Sequence, residues 1–320
     1  MFQKIFYSNN PLQFWIVILF GIFGLFISLM YAEQDVAIRC SIFPEWWSHF
    51  SINPIAGVLF SYLSLFLTTF ALMSISKEFG DVLGILLPSV VLTLFFNLLT
   101  PTFLSINSIV ILPAFIFIIK LLVNIYETQR VFSELFYMGF ISGVASMIDV
   151  EFIAILFIVV IGIIVLRPFY FKEYLVLLIS FILPYIILDA VIFFFFDIHV
   201  LGVFDLNIAT YKFDLTAFLS SLYPMVVFFI FSIFIYNRIL NNKVELKKIK
   251  SRKIFVWINI SILLLWMWII LTSNMLLIYL LALMLAVSFS VVMITLPKKI
   301  HAKLLLITLF ILNIIIFVVL

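Results

Sequence analysis

Long, nearly uninterrupted apolar runs alternate with short polar breaks along this chain. A membrane-crossing helix needs about 20 predominantly apolar residues, and it must satisfy its backbone polar groups internally. Runs of that kind fall at roughly 12–31, 55–76, 82–100, 107–126, 135–150, 152–167, 174–196, 217–236, 254–272, 275–296 and 304–320. They predict an all-α polytopic membrane protein with about eleven transmembrane helices. The fifth and sixth runs are short and are parted only by Asp149 to Glu151, so they read as a tight helical hairpin or as one broken, tilted pair. The runs are continuously apolar, whereas the strands of an outer-membrane barrel alternate apolar with polar residues.

The polar breaks are not equivalent. With a cytoplasmic N-terminus, alternate loops and flanks collect Lys4, Lys77, Lys120, Arg130, Arg167, Lys172 and the cations of 238–253 and 298–303, which is 16 of the 18 Lys and Arg residues. Only Arg39 and Lys212 fall on the external side. Cytoplasmic loops are the ones enriched in Lys and Arg, so this partition predicts an inner-membrane, multi-pass chain with its C-terminus outside. The external side instead gathers acids: Glu33, Asp35, Glu45, Asp149, Glu151, Asp197, Asp205 and Asp214.

Composition agrees with the pattern. The chain of 320 residues is 67% hydrophobic and 10% charged, where soluble domains carry about a quarter charged residues. That leaves no room for a sizeable soluble domain. A single cysteine, Cys40, excludes an intramolecular disulfide and a cysteine-based metal site. Neither a Gly-rich phosphate loop nor an HExxH, CxxC or GxSxG motif is present, and none of the usual nucleic-acid-binding patterns occurs. No cofactor or metal is therefore expected. The opening MFQKIFYSNNPLQFW leads into an apolar run longer than a signal-peptide core and lacks a small-residue cleavage site, so it reads as a retained anchor.

Two external loops are long, 33–54 and 197–216. In the first, Asp35 precedes Arg39 by four residues, and Glu45 precedes His49 by four. On a helix each acid would face its base, in the favoured order. Trp46 and Trp47 suit a segment lying at the membrane surface. A carboxylate there, Asp35 or Glu33, could serve as general base, while Arg39 could grip a phosphate bidentately; the plainer reading is a solvated interfacial helix. The second loop offers Lys212 as a phosphate partner and His199 near Asp197, a spacing too sparse to complete a metal site.

Asp189 lies inside the seventh run, after Pro184 and Tyr185. An acid within a span marks a functional position by default, with a structural hydrogen bond to a neighbouring helix as the alternative. Asn97 and Asn124 read as polar glue between helices, and Pro113 and Pro184 as kinks. The segment 237–253 holds seven Lys or Arg against one Glu. Such an inner basic loop attracts anionic lipid headgroups, and orientation explains it without nucleic acid.

The order of parts resembles the GT-C class of membrane glycosyltransferases. One span is followed by a long external loop with acids at its start, here Glu33 and Asp35 in YAEQDVAIR. Several tightly connected spans come next, and a second long external loop follows the seventh. The stretch 136–187 is also similar to the middle region of those enzymes, with a small-residue-rich helix, a hydrophobic helix, a basic inner turn and a Pro-containing helix. The resemblance covers roughly 10–236 and implies a GT-C-like helical bundle that takes a sugar from a polyprenyl-phosphate donor at the external face. Asp35 or Glu33 would then be the catalytic base, with Arg39, Lys212, His199 and Asp189 on the substrate. A paired-acid DxD-like motif and an external C-terminal domain are missing. The short interfacial start and the Phe- and Ile-rich spans also resemble an uncharacterised family of multi-span inner-membrane proteins of Bacteroidota.

These readings divide the chain into a GT-C-like core at 1–236, a basic cytoplasmic loop at 237–253 and a three-helix membrane segment at 254–320. Two other functions fit the same pattern. One is a transporter of lipids or small molecules, although charges at mid-membrane depth are nearly absent and no long internal repeat appears. The other is a non-catalytic membrane component of an envelope assembly or secretion complex. Membrane lipids are partners under every reading.

Overall fold

A computed structural model describes residues 36–37, 51–52, 54–78, 106–126, 131–197, 247–272 and 277–295, together with Leu92 and scattered helical positions between Trp15 and Leu25. Apart from one two-residue ladder, the elements they form are helices. Strand β1 (Val36–Ala37) pairs antiparallel with β2 (Ser51–Ile52), Val36 opposite Ile52, so the segment between two apolar runs returns beside its own start. The helices that follow are α1 (Pro54–Glu78), α2 (Ile106–Ile125), α3 (Phe132–Ile148), α4 (Ile153–Leu166), α5 (Phe171–Phe196), α6 (Lys247–Thr272) and α7 (Ile278–Thr295).

The hairpin alternative holds for the fifth and sixth runs. Helices α3 and α4 pack on each other and are joined through a single 3-10 turn, Val150–Phe152. Asp149 builds that turn: its backbone is extended, and its Oδ1 accepts the Glu151 N–H at 3.1 Å. A side chain that hydrogen-bonds the backbone two residues on competes with helix continuation, which is why the apolar pattern breaks there.

Tertiary packing follows small residues and indoles. Helix α3 runs alongside α5, and the pair meets through Gly139 and Gly143. A Cβ on Gly139 would collide with Ser180 Oγ and lie 2.5 Å from the Leu177 carbonyl oxygen. One on Gly143 would collide with the Phe181 carbonyl oxygen and come within 3.0 Å of Pro184 Cγ. Without those methyls the two backbones approach closely, the arrangement that lets apolar helices associate through van der Waals contact. Tyr185 and Ser146 share a 2.8 Å hydrogen bond across the same seam.

Helix α6 lies against α4 in the same manner. Gly162 leaves space for the Trp257 indole, whose Nε1 donates to the Ile158 carbonyl at 3.0 Å. Trp257 is fully buried, as are Phe115, Phe152, Tyr62 and Tyr279. Pro113 and Pro184 both sit inside continuous helices.

Among the described residues, one helix is long and apolar enough to cross a membrane by length and composition, Phe171–Phe195. The other apolar helices include Ile111–Ile125, Phe132–Ile148 and Val150–Leu166, which are shorter. The described residues therefore establish an all-α bundle with one helix of spanning length and composition, and several of the eleven runs expected to span lie outside them. Only 17% of the apolar window in Phe171–Phe195 is buried. Leu175, Leu178, Ile179, Ile182, Ile186 and Phe194 all face outward.

Candidate functional site

Five helix termini converge at one end of the bundle. Helices α2 and α4 finish there, and α3, α5 and α6 begin. Arg167, the C-cap residue of α4, ties the junction together. Its Nη1 donates to the Ile125 carbonyl at the end of α2 at 2.9 Å, and its Nη2 lies 3.4 Å from Glu173 Oε1 in the first turn of α5. Each placement has an electrostatic reason. A cation is favoured where α2 exposes its last carbonyls, and a carboxylate where α5 exposes its first N–H groups.

The ion pair is well buried, with side-chain exposures of 14% for Arg167 and 7% for Glu173. Glu173 Oε2 is shielded from solvent and has no hydrogen-bond partner among the described residues. Around the pair opens a groove of about 970 Å³. Arg167, Lys172 and Lys253 supply three cations to its lining, against the one carboxylate of Glu173. Tyr126, Phe132 and Phe171 supply aromatic walls. Lys253 Nζ sits 5.5 Å from the centre of the Tyr126 ring, within cation–π range. Phe169 stacks on Tyr174 with centroids 4.8 Å apart, at the start of α5. Phe169 and Phe171 are 70% and 69% exposed, so large apolar rings flank a charged groove.

The opposite end carries acids. Trp268 Nε1 donates to Glu151 Oε2 at 2.7 Å, which fastens the α3–α4 turn to the far part of α6. The same indole packs on Phe157, with centroids 5.6 Å apart. Helix α5 ends at Asp197, an exposed residue in the left-handed region with φ 54. Among the described residues the bundle is polarised, with cations and a groove at one end and the half-buried Asp149 and Glu151 and the exposed Asp197 at the other.

Of the residues singled out by sequence, Asp35, Glu33, Arg39, Lys212 and His199 lie outside the described residues. Asp189 is described; it is partly buried on α5, about two turns before the helix ends. It is not among the residues that line the groove. Among the described residues no cluster of His, Cys, Asp or Glu could hold a metal ion. Sequence reasoning missed the groove itself. Arg167, Lys172 and Lys253 were visible only as markers of orientation, although their recurrence at the ends of three apolar runs was the available signal. No protein-family model, curated protein or solved structure matches this chain.

Proposed function

We propose that this chain is a multi-pass protein of the inner membrane that works on a lipid-borne phosphate. One observation carries the membrane reading: Phe171–Phe195 is apolar over a bilayer's thickness, turns its apolar side chains outward and starts at a basic junction. Helix direction supports it further. Helices α3, α5 and α6 run away from the basic end while α2 and α4 run toward it, the alternation expected when Arg167, Lys172 and Lys253 share one side.

The activity we propose is glycosyl transfer at the external face, from a polyprenyl-phosphate-linked sugar. Asp35, or Glu33, activates the acceptor hydroxyl as general base. Arg39 and Lys212 hold the donor phosphate, whose negative charge grows as its bond to the sugar breaks. The support is the order of the parts in the sequence, and the β1–β2 ladder, which draws the two ends of the first long loop together ahead of α1. The test is Asp35→Ala in a strain lacking the wild-type copy. Loss of a cell-surface glycan with normal membrane levels of the protein is expected. Full retention of that glycan, also in the Glu33→Ala/Asp35→Ala double variant, defeats the enzymatic reading and leaves a non-catalytic envelope component. A reporter fused after Leu320 tests the topology: activity only in the cytoplasm overturns the eleven-span arrangement.

A further inference from the structure

We infer that the groove where α2, α4, α5 and α6 meet binds the phosphate headgroup of an anionic membrane lipid. The inference rests on the membrane reading above, and concerns the end of the bundle opposite the proposed transferase loops.

Three features of the groove select this ligand. First, its charge is positive, and the carboxylate within it is already turned to a cation. Arg167 is committed to Ile125 and Glu173, so it builds the wall of the site. Lys172 and Lys253 are left as the groove's recognition charges. Lys172 is exposed, and Lys253 is held over Tyr126, which fixes the lie of a flexible chain. Two ammonium groups on such a wall match a phosphate oxygen cluster as point charges.

Second, the volume of about 970 Å³ accommodates a headgroup and its glycerol, and is too open to seal off a small metabolite. Third, the groove is continuous with apolar surface. Phe171 lines it and is 69% exposed, and the outward residues Leu175, Leu178 and Ile179 continue along the same helix. A lipid placed with its phosphate between Lys172 and Lys253 lays its chains on that face. Free phosphate has no use for that face, and an acidic peptide would have to lie at the level of the aromatic rings, where headgroups sit.

The site differs from the general attraction of a polybasic segment. That attraction depends on the number of cations near the surface, and Lys247, Lys248 and Lys250 contribute to it as much as any. The groove instead depends on two particular lysines on two different helices, α5 and α6.

The experiment is lipid competition on the purified full-length protein, read by native mass spectrometry from an equimolar mixture of phosphatidylglycerol and phosphatidylcholine. Wild type is expected to retain phosphatidylglycerol with a preference of about tenfold. Lys172→Gln/Lys253→Gln is expected to abolish the preference, and Lys247→Gln/Lys248→Gln/Lys250→Gln to keep most of it. An unchanged preference in the first variant, or equal loss in both, overturns the site. Lys172→Gln alone, at an exposed position, gives a reduced preference if the double variant does not fold, and no change in it counts against the site. Thermal stability in phosphatidylcholine alone is measured with millimolar inorganic phosphate: a rise equal to that given by phosphatidylglycerol overturns the lipid assignment in favour of free phosphate. Alkaline carbonate washing of native membranes separates the two levels of the proposal. Protein that stays in the pellet but shows no lipid preference defeats the groove alone, whereas release into the supernatant defeats the membrane reading beneath it.

Discussion

The two ends of this bundle solve the same problem with opposite charges. Each must close helix termini that expose unsatisfied backbone groups. At the basic end, one residue joins three helices: the Arg167 backbone N–H closes α4, and its guanidinium donates to the last carbonyl of α2 and pairs with a carboxylate at the head of α5. At the acidic end an Asp149 side chain turns its own backbone, and a neutral indole from 117 residues along the chain reaches in to Glu151. The groove lies at the cation junction, among the helix ends that Arg167 joins. The difference lies in what is left over: beyond the Arg167–Glu173 pair, the groove at the basic end is also lined by Lys172 and Lys253, which suits a ligand site although acids are the more usual catalytic groups.

The largest effect should come from breaking the cation junction. Arg167→Ala leaves Glu173 buried and uncompensated, and removing one partner of such a pair costs about 3–5 kcal/mol. Thermal unfolding in detergent measures this, and Arg167→Leu/Glu173→Leu should recover most of the loss. A loss below about 1 kcal/mol for Arg167→Ala would mean that solvent already reaches the pair, and that the two ends are alike after all.

The α3–α5 seam should rank second. Gly139→Ala forces a methyl against Ser180 Oγ and the Leu177 carbonyl, and overpacking of this kind costs about 1–3 kcal/mol. Ser180→Gly should relieve only part of it, since the carbonyl belongs to the backbone of α5. Full rescue would show that the backbones are free to separate.

At the acidic end, Trp268→Phe keeps the ring against Phe157 and removes only the donor to Glu151. A part-buried bond to a carboxylate predicts a loss of about 1–2 kcal/mol, smaller than at the basic end. Glu151→Gln should cost less still, because the amide oxygen accepts in the same place. If Trp268→Phe matched Arg167→Ala, the contrast between a junction made by a buried ion pair and one made by a neutral donor would fail.

Much of this bundle could be read in the sequence, and particular residues show where reading stopped. The runs at 107–126, 152–167 and 174–196 coincide with α2, α4 and α5 to within a few residues, because apolar continuity is a direct record of a helix that satisfies its own backbone. Helix α3 begins earlier than its apolar run, at Phe132, since Ser133 and Glu134 look like a loop but suit a first turn, where an acid is favoured. Helix α6 likewise starts at Lys247, inside the segment expected to be a basic loop, because Lys and Arg are good helix formers whatever side of the membrane they mark. The Gly139-x-x-x-Gly143 spacing announces a close helix contact, but not which helix makes it. Arg167 meets a carbonyl 42 residues away, and Trp257 one 99 residues away. No local pattern encodes such pairings. Five of the six candidate site residues fall outside the described residues, and the sixth, Asp189, stands away from the groove.

The smallest predicted effect distinguishes the outward side of α5 from its packed side. Leu177 and Leu178 are neighbours on one helix; the first is fully buried and the second is 52% exposed. Leu177→Ala opens a cavity in the core and should cost about 2–5 kcal/mol. Leu178→Ala opens none, and in detergent or bilayer it withdraws no apolar surface from water in the folded state, so its effect should stay within about 0.5 kcal/mol. The comparison is sharp because chemistry, helix and depth are the same for both residues. A loss of 2 kcal/mol or more at Leu178 would require a covering surface over α5, either a second copy of this chain or a different protein. That surface would also seal the apolar path along which the lipid bound at Lys172 and Lys253 lays its chains. A null result at Leu178 together with a large one at Leu177 therefore tests the packing of α5 and the openness of the groove in one pair of measurements.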